Sequence, residues 1–152
     1  MAEPQDTTII CLDERQRAFI ASQRVARMAT VDGHGEPSVV PICYAYDGTR
    51  FYTPIDDKPK QPGKRLKRVR NIEETGEAAL VIDHYAEDWS RLGWVMIRGR
   101  AALLHPKEPG HATAVELLRE RYPQYRAMAL ERAPIIAITP THTASWGALE
   151  IS

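Results

Sequence analysis

The chain has 152 residues, the usual size of one domain, and is long enough to bury a core without disulfides or metals. Hydrophobic residues make up 43% of it and charged residues 26%, as in ordinary soluble proteins. The formal net charge is +0, so bulk charge points to neither nucleic acid nor an anionic membrane as partner. Any charge-dependent function must come from local clustering.

Targeting and redox signals are weak. No stretch approaches the ~20 apolar residues of a membrane span, and the acidic N-terminus lacks the basic-then-apolar order of a signal peptide. We therefore expect a cytoplasmic protein without a membrane span. The two cysteines, Cys11 and Cys43, form no CxxC pair, and Cys43 lies in an apolar run where a buried free thiol is expected.

The first half of the chain predicts one helix and an antiparallel meander. After a loose lead-in over residues 1–11, Asp13 can cap a helix that ends near Gln23, which we expect to cover an open end of a barrel. The hydrophobic period then changes to that of strands. Hairpin turns at Asp32-Gly33-His34-Gly35 and Asp47-Gly48-Thr49 separate three predicted strands, over residues 25–31, 37–46 and 50–53.

The second half of the chain adds strands and two helices. Prolines and Gly63 exclude regular structure over residues 54–63. Helices are predicted over 64–74 and 110–122, and strands over 78–83, 93–104, 135–139 and 143–149. The sequence shows neither the alternation of strands and helices nor the GxGxxG motif that a Rossmann fold would carry, so it disfavours that fold. The pattern favours a single mainly β domain over 1–152, an antiparallel β-barrel with flanking helices.

The strongest chemical feature is a run of basic residues that no acid interrupts. It spans a Pro-rich loop and the first turns of the predicted helix, where unpaired backbone N–H groups also favour anions. Guanidinium groups there can form bidentate hydrogen bonds to phosphate oxygens. A solvated basic helix face is the alternative, whereas nucleic-acid binding is disfavoured because no aromatic residue is interleaved. The run comprises Lys58, Lys60, Lys64, Arg65, Lys67, Arg68 and Arg70.

The order of these features resembles a known family. A helix precedes a strand with small residues, followed by "EPSVVPICYAYDG", "RFYTP", the basic segment ending in "RVRNI", and "AALVIDHY". This order is similar to that of the pyridoxamine 5'-phosphate oxidase-like superfamily of flavin and deazaflavin oxidoreductases. The stretch "DHYAEDWSRLGWVMIRGRA" resembles the branch termed PPOX class, whose members use the deazaflavin coenzyme F-420. The resemblance covers residues 12–149, and its specificity lies in order and spacing.

The resemblance implies an FMN-binding-like split β-barrel that forms a homodimer with two cofactor sites at the interface. Carried over by position, Val40, Pro41 and Ile42 would lie along the cofactor ring. The ribityl chain and phosphate would be flanked by Tyr52, Thr53 and Pro54. The phosphate would be held by Lys58, Lys60, Arg65 and Arg68.

Other residues give less specific signals. Trp94 either forms an aromatic wall of the site or packs in the dimer contact, for which Trp89 is also a candidate. His84 or Tyr85 could donate a proton, although a lone histidine is more often structural. Asp83, His84, Asp88 and His105 have no ligand spacing typical of a metal site, and no nucleophile motif is present. No catalytic side chain is therefore assigned.

Several functions remain open at this stage. The first is an F-420-dependent oxidoreductase that transfers hydride to an unsaturated or quinone-like small molecule. An FMN-dependent oxidase or flavin reductase, a non-catalytic cofactor-binding protein and a nucleic-acid-binding module are the alternatives. The F-420 tail carries lactate and glutamates, so a long basic groove favours it over FMN. When the cofactor carries the chemistry, the protein mainly positions and tunes it.

Overall fold

The computed structural model describes residues 10–55 and 66–150. Its centre is one antiparallel sheet in the order β2-β1-β5-β6-β7-β4-β3, with three helices packed around it. This mainly β arrangement confirms the predicted fold class. The strands are β1 (Ala26–Val31), β2 (Pro37–Ile42), β3 (Ala45–Tyr46), β4 (Phe51–Pro54), β5 (Glu77–His84), β6 (Gly93–Leu104) and β7 (Ile135–Gly147).

A break at Cys43-Tyr44 closes the sheet into a barrel. β2 and β3 lie at opposite edges of the sheet, although only these two residues separate them in the chain. The sheet must therefore curl enough to bring the end of β2 close to the start of β3. The prediction of one strand over 37–46 is wrong here, because the ring of Tyr44 leaves the strand for the core. Its hydroxyl donates to the carbonyl of Ile20 at 2.5 Å, and its N–H donates to the hydroxyl of Tyr122 at 3.2 Å.

The last two predicted strands are one continuous strand. β7 pairs with the whole of β6, and a bulge leaves Thr141 as an extra residue between the partners of Arg98 and Gly99. A Cβ on Gly99 would lie 2.2 Å from the carbonyl oxygen of Thr139, so only glycine permits this close approach. The polar residues near 140–143 suggested a turn, but they belong to the bulge.

Three helices flank the sheet, as predicted, with shifted ends. α1 (Glu14–Ser22) starts with a capping box between Asp13 and Gln16. α2 (Lys67–Thr75) begins later than the predicted 64 and ends at Gly76, whose φ of 68° terminates the helix. α3 (His111–Arg121) matches the prediction within one residue at each end.

Two groups of buried side chains form the core. The first fills the barrel interior and includes Phe19 and Ile20 of α1, which confirms that this helix covers the barrel. The second lies between α3 and the outer side of β4 and β7.

Among the described residues, no helix combines the length and apolar character needed to cross a membrane.

Candidate functional site

A cavity of about 230 Å³ lies where β2 and β4 end, beside the start of α2. We call it the β2–β4 cavity. Three segments that the sequence analysis assigned to one site meet in it, although they are separated by a turn and a loop. Its lining consists of Val25, Pro41, Ile42, Cys43, Thr53, Pro54, Arg68 and Tyr125.

Strand geometry sets the two β walls of the cavity. Successive residues of a strand face opposite sides, so Ile42 enters the barrel core, where it is 8% exposed, while Pro41 faces outward. On the other wall, β4 pairs with β7, and Thr53 and Pro54 face Ile136 and Ile135 in its register. Pro54 has no N–H to continue the ladder, which is consistent with the strand ending there.

Arg68 gives the cavity its positive charge. It lies in the first turn of α2, where Val69 and Ile72 are buried and fix the helix against the sheet. The helix has no acidic residue in its first turn and no side-chain cap at Leu66. The positive end of the helix dipole and the guanidinium of Arg68 therefore act together on the same space.

Lys67 has a structural role instead. Its Nζ lies 3.4 Å from Oδ2 of Asp32, and Oδ1 of Asp32 accepts hydrogen bonds of 2.9 Å from the N–H groups of His34 and Glu36. The bond from Glu36, aided by those from His34 and Lys67, holds the pKa of Asp32 below its ordinary value. Lys67 thus ties the β1–β2 turn to α2, whereas Arg70 of the same helix is exposed.

The remaining predicted site residues lie elsewhere or outside the described ranges. Val40 packs against the barrel core, and the hydroxyl of Tyr52 donates to Oδ2 of Asp47 at 2.6 Å on the α3 side. Neither side chain lines the β2–β4 cavity, and neither does Trp94 on β6. Lys58, Lys60 and Arg65 fall outside the described residues.

Three wall residues of the cavity were not predicted from the sequence. Val25 precedes β1, and Cys43 is half-buried at the break after β2, so the expectation of a core thiol was only partly right. Tyr125 is 6% exposed and lies in a short 3-10 turn after α3, far away in the chain. Arg119 holds this turn by donating to the carbonyls of Tyr125 at 3.1 Å and Met128 at 2.6 Å. Such a long-range contact leaves no periodic signal in the sequence.

The outer face of the sheet carries exposed apolar side chains. Trp94 faces Trp146 across β6 and β7, and Trp146 is 54% exposed. Val39 on β2 is 65% exposed and Trp89, in the turn before β6, is 70% exposed. Trp146 was not singled out from the sequence.

The described residues contain no group of three or more candidate metal ligands.

The comparisons with known proteins identify the class. The family model described as pyridoxamine 5'-phosphate oxidase matches residues 12–147. The chain therefore belongs to the pyridoxamine 5'-phosphate oxidase family. No curated protein matches the sequence.

Solved structures of low sequence identity share the fold. The conserved hypothetical protein Rv2991 of Mycobacterium tuberculosis is 21% identical, with a TM-score of 0.69 over 96% of this chain and 91% of that one. The heme storage protein HutZ of Vibrio cholerae is 12% identical, with a TM-score of 0.68 over 91% and 95%. A putative pyridoxamine 5'-phosphate oxidase of Listeria innocua is 17% identical, with a TM-score of 0.58 over 88% and 95%.

Proposed function

We propose that the β2–β4 cavity binds coenzyme F-420 and that the protein is an F-420-dependent oxidoreductase. The observation that carries this proposal is the meeting of Pro41 and Ile42, Thr53 and Pro54, and Arg68 in one cavity. The ring would lie along the end of β2, and the phosphate would lie beside Arg68 at the start of α2. Membership of the pyridoxamine 5'-phosphate oxidase family supports a flavin-type cofactor.

The basic segment favours F-420 over FMN. Arg68 belongs to a basic run whose members at residues 58–65 precede this cavity residue closely in the chain. FMN ends in a single phosphate, whereas F-420 continues into a lactyl-glutamate tail with several carboxylates. The extra cations of this segment would pair with the tail carboxylates of F-420, which FMN lacks. FMN is the alternative ligand, and a cofactor carrier without turnover is the alternative role.

The chain's own residues would position the cofactor. When bound, the deazaflavin would supply a hydride to an unsaturated or quinone-like acceptor. The β walls would hold one face of the ring, and the buried Tyr125 and Ile42 would exclude water from the inner side. No side chain of the cavity is required to take part in direct hydride transfer.

The proposal is tested by titrating the purified protein with F-420, FMN and hemin side by side. We expect F-420 to bind at least about tenfold more tightly than FMN, a difference of about 1.4 kcal/mol. Equal affinities, or FMN that copurifies with the protein, would favour the FMN-dependent alternative. Hemin is included because HutZ is described as a heme storage protein. Tight binding of hemin together with no binding of F-420 would contradict the proposal.

We further propose that the protein is a C2 homodimer formed through the outer face of the sheet. Val39 and Trp146 are large apolar side chains that remain more than half exposed there, which is costly unless a partner covers them. We expect light scattering to give twice the monomer mass at micromolar concentration, and Trp146→Glu to give the monomer mass. A stable monomer of the parent protein would refute this assembly.

A further inference from the structure

Tyr122 carries a hydroxyl that is fully hydrogen-bonded beside the β2–β4 cavity. The residue is the C-cap of α3 and is 9% exposed. Its hydroxyl donates to the carbonyl of Arg24 at 2.9 Å. It accepts from the N–H of Tyr44 and from the Nε–H of Arg121, both at 3.2 Å. A hydroxyl has one donor and two acceptor positions, so these contacts use all of them.

Two of these contacts are made to peptide groups that adjoin the wall of the cavity. We call Val25, Cys43 and Tyr125 the inner wall. The carbonyl of Arg24 belongs to the peptide group that leads into Val25. The N–H of Tyr44 belongs to the peptide group that follows Cys43. A peptide group is planar and rigid, so a hydrogen bond to it fixes the backbone from which the wall side chain extends.

The third residue of the inner wall is held by the backbone and ring of Tyr122. The N–H of Tyr125 donates to the carbonyl of Tyr122 at 3.0 Å, and the two rings meet edge to face with centroids 5.6 Å apart. The inner wall comes from three distant parts of the chain, before β1, after β2 and after α3. Tyr122 therefore contacts every segment that supplies it.

We propose that Tyr122 is a positioning residue of the β2–β4 cavity, a role that rests on the function proposed for that cavity. Tyr122 does not line the cavity itself, so it acts through the segments that it joins. Its hydroxyl holds the inner wall in one arrangement, and the space for the cofactor ring is formed before the cofactor binds. Such preorganisation raises affinity, because the wall need not be ordered on binding.

Removing only the hydroxyl separates this role from ring packing. In Tyr122→Phe the ring remains, but the buried N–H of Tyr44 loses its partner, which is costly. We expect the peptide group before Tyr44 to become mobile. The matched control is Tyr46→Phe, since the hydroxyl of Tyr46 also donates to a backbone carbonyl, that of Gly48 at 2.9 Å. Tyr46 also packs on an aromatic ring, yet it does not line the cavity.

The first measurement needs no cofactor and is the rate at which iodoacetamide alkylates Cys43. All proteins carry Cys11→Ser, because Cys11 is exposed and would also react. Each rate is corrected for the measured free energy of unfolding, so that global opening does not contribute. We expect Tyr122→Phe to raise the rate at least about fivefold, as for one lost hydrogen bond, and Tyr46→Phe to change it less than about twofold. An unchanged rate in Tyr122→Phe, or equal acceleration in both variants, would overturn the proposal.

Amide hydrogen exchange of the parent protein gives a second measurement that needs no variant. The N–H of Tyr44 should exchange slowly, because the hydroxyl of Tyr122 is its partner. Exchange as fast as that of an exposed amide would overturn the proposal.

Titration with F-420 then connects the inner wall to the proposed function. We expect the dissociation constant to rise at least about fivefold in Tyr122→Phe and less than about twofold in Tyr46→Phe. Parent-like affinity of Tyr122→Phe would overturn the positioning role. If the parent itself binds no F-420, the proposed function is wrong, and the alkylation and exchange rates still decide whether Tyr122 holds the inner wall.

Discussion

Replacing Arg68 by alanine removes the one described guanidinium of the β2–β4 cavity. A charge-assisted hydrogen bond to an anion contributes about 1.5–3 kcal/mol. We therefore expect the dissociation constant for F-420 to rise about 10- to 100-fold. The helix should stay in place, because Val69 and Ile72 remain buried against the sheet at 6% and 3% exposure.

The matched control is Arg70→Ala, which removes the same charge from the same helix at an exposed position. It should change the dissociation constant less than about twofold. Fluorescence titration with F-420 and thermal unfolding of both variants without cofactor would separate binding from stability. Parent-like affinity of Arg68→Ala, or equal losses in both variants, would show that the basic helix is only a solvated face.

Three further predictions concern salt, pH and the bulge. F-420 binding should weaken more steeply with added salt than FMN binding, because exposed charges are screened beyond about 10 Å at 0.1 M; parallel salt dependences in equilibrium titrations would contradict the assigned tail contacts. Partial burial opposes ionisation of Asp47, but the hydrogen bonds from Tyr52, Arg50 and Thr49 prevail and hold its pKa below the usual value. Its contribution to stability is therefore present above about pH 4 and lost as the pH falls through the lowered pKa, so urea unfolding of Asp47→Asn should depend less on acid pH than that of the parent. Gly99→Ala should lower the free energy of unfolding by about 1–3 kcal/mol, since the new Cβ would lie 2.2 Å from the carbonyl oxygen of Thr139; an unchanged melting temperature would refute that contact.

Hairpins and helices could be predicted from the sequence because local chemistry determines them. Asp32 and Asp47 accept backbone hydrogen bonds within their own turns, so each turn signal is complete within a few residues. The break at Tyr44 could not be predicted in this way. Its cause is a hydrogen bond to Ile20, 24 residues earlier, and an apolar run carries no trace of that partner. Likewise, the polar residues of the β7 bulge suggest a turn. Nothing in the neighbouring sequence indicates that Gly99 of β6 approaches them closely.

The residues of the candidate site also fall into two groups, those that the order of motifs predicts and those that only long-range contacts bring to the cavity. Pro41, Ile42, Thr53, Pro54 and Arg68 were found through the order of motifs, and they meet because barrel closure brings the ends of β2 and β4 together. Tyr125 was missed because a turn after α3, held by Arg119, delivers it from the far end of the chain. Val40 and Tyr52 were assigned by position, but Val40 packs against the barrel core and Tyr52 is buried in the second core group beside α3, so neither lines the cavity.

The most direct measurement of the central claim is a crystal structure of the protein with F-420 bound. We expect the deazaflavin ring to lie along Pro41 and Ile42, opposite Thr53 and Pro54, with the cofactor phosphate within hydrogen-bonding distance of Arg68. A cofactor bound away from the β2–β4 cavity, or one whose phosphate contacts no residue of α2 or the adjoining basic segment, would contradict the proposed site.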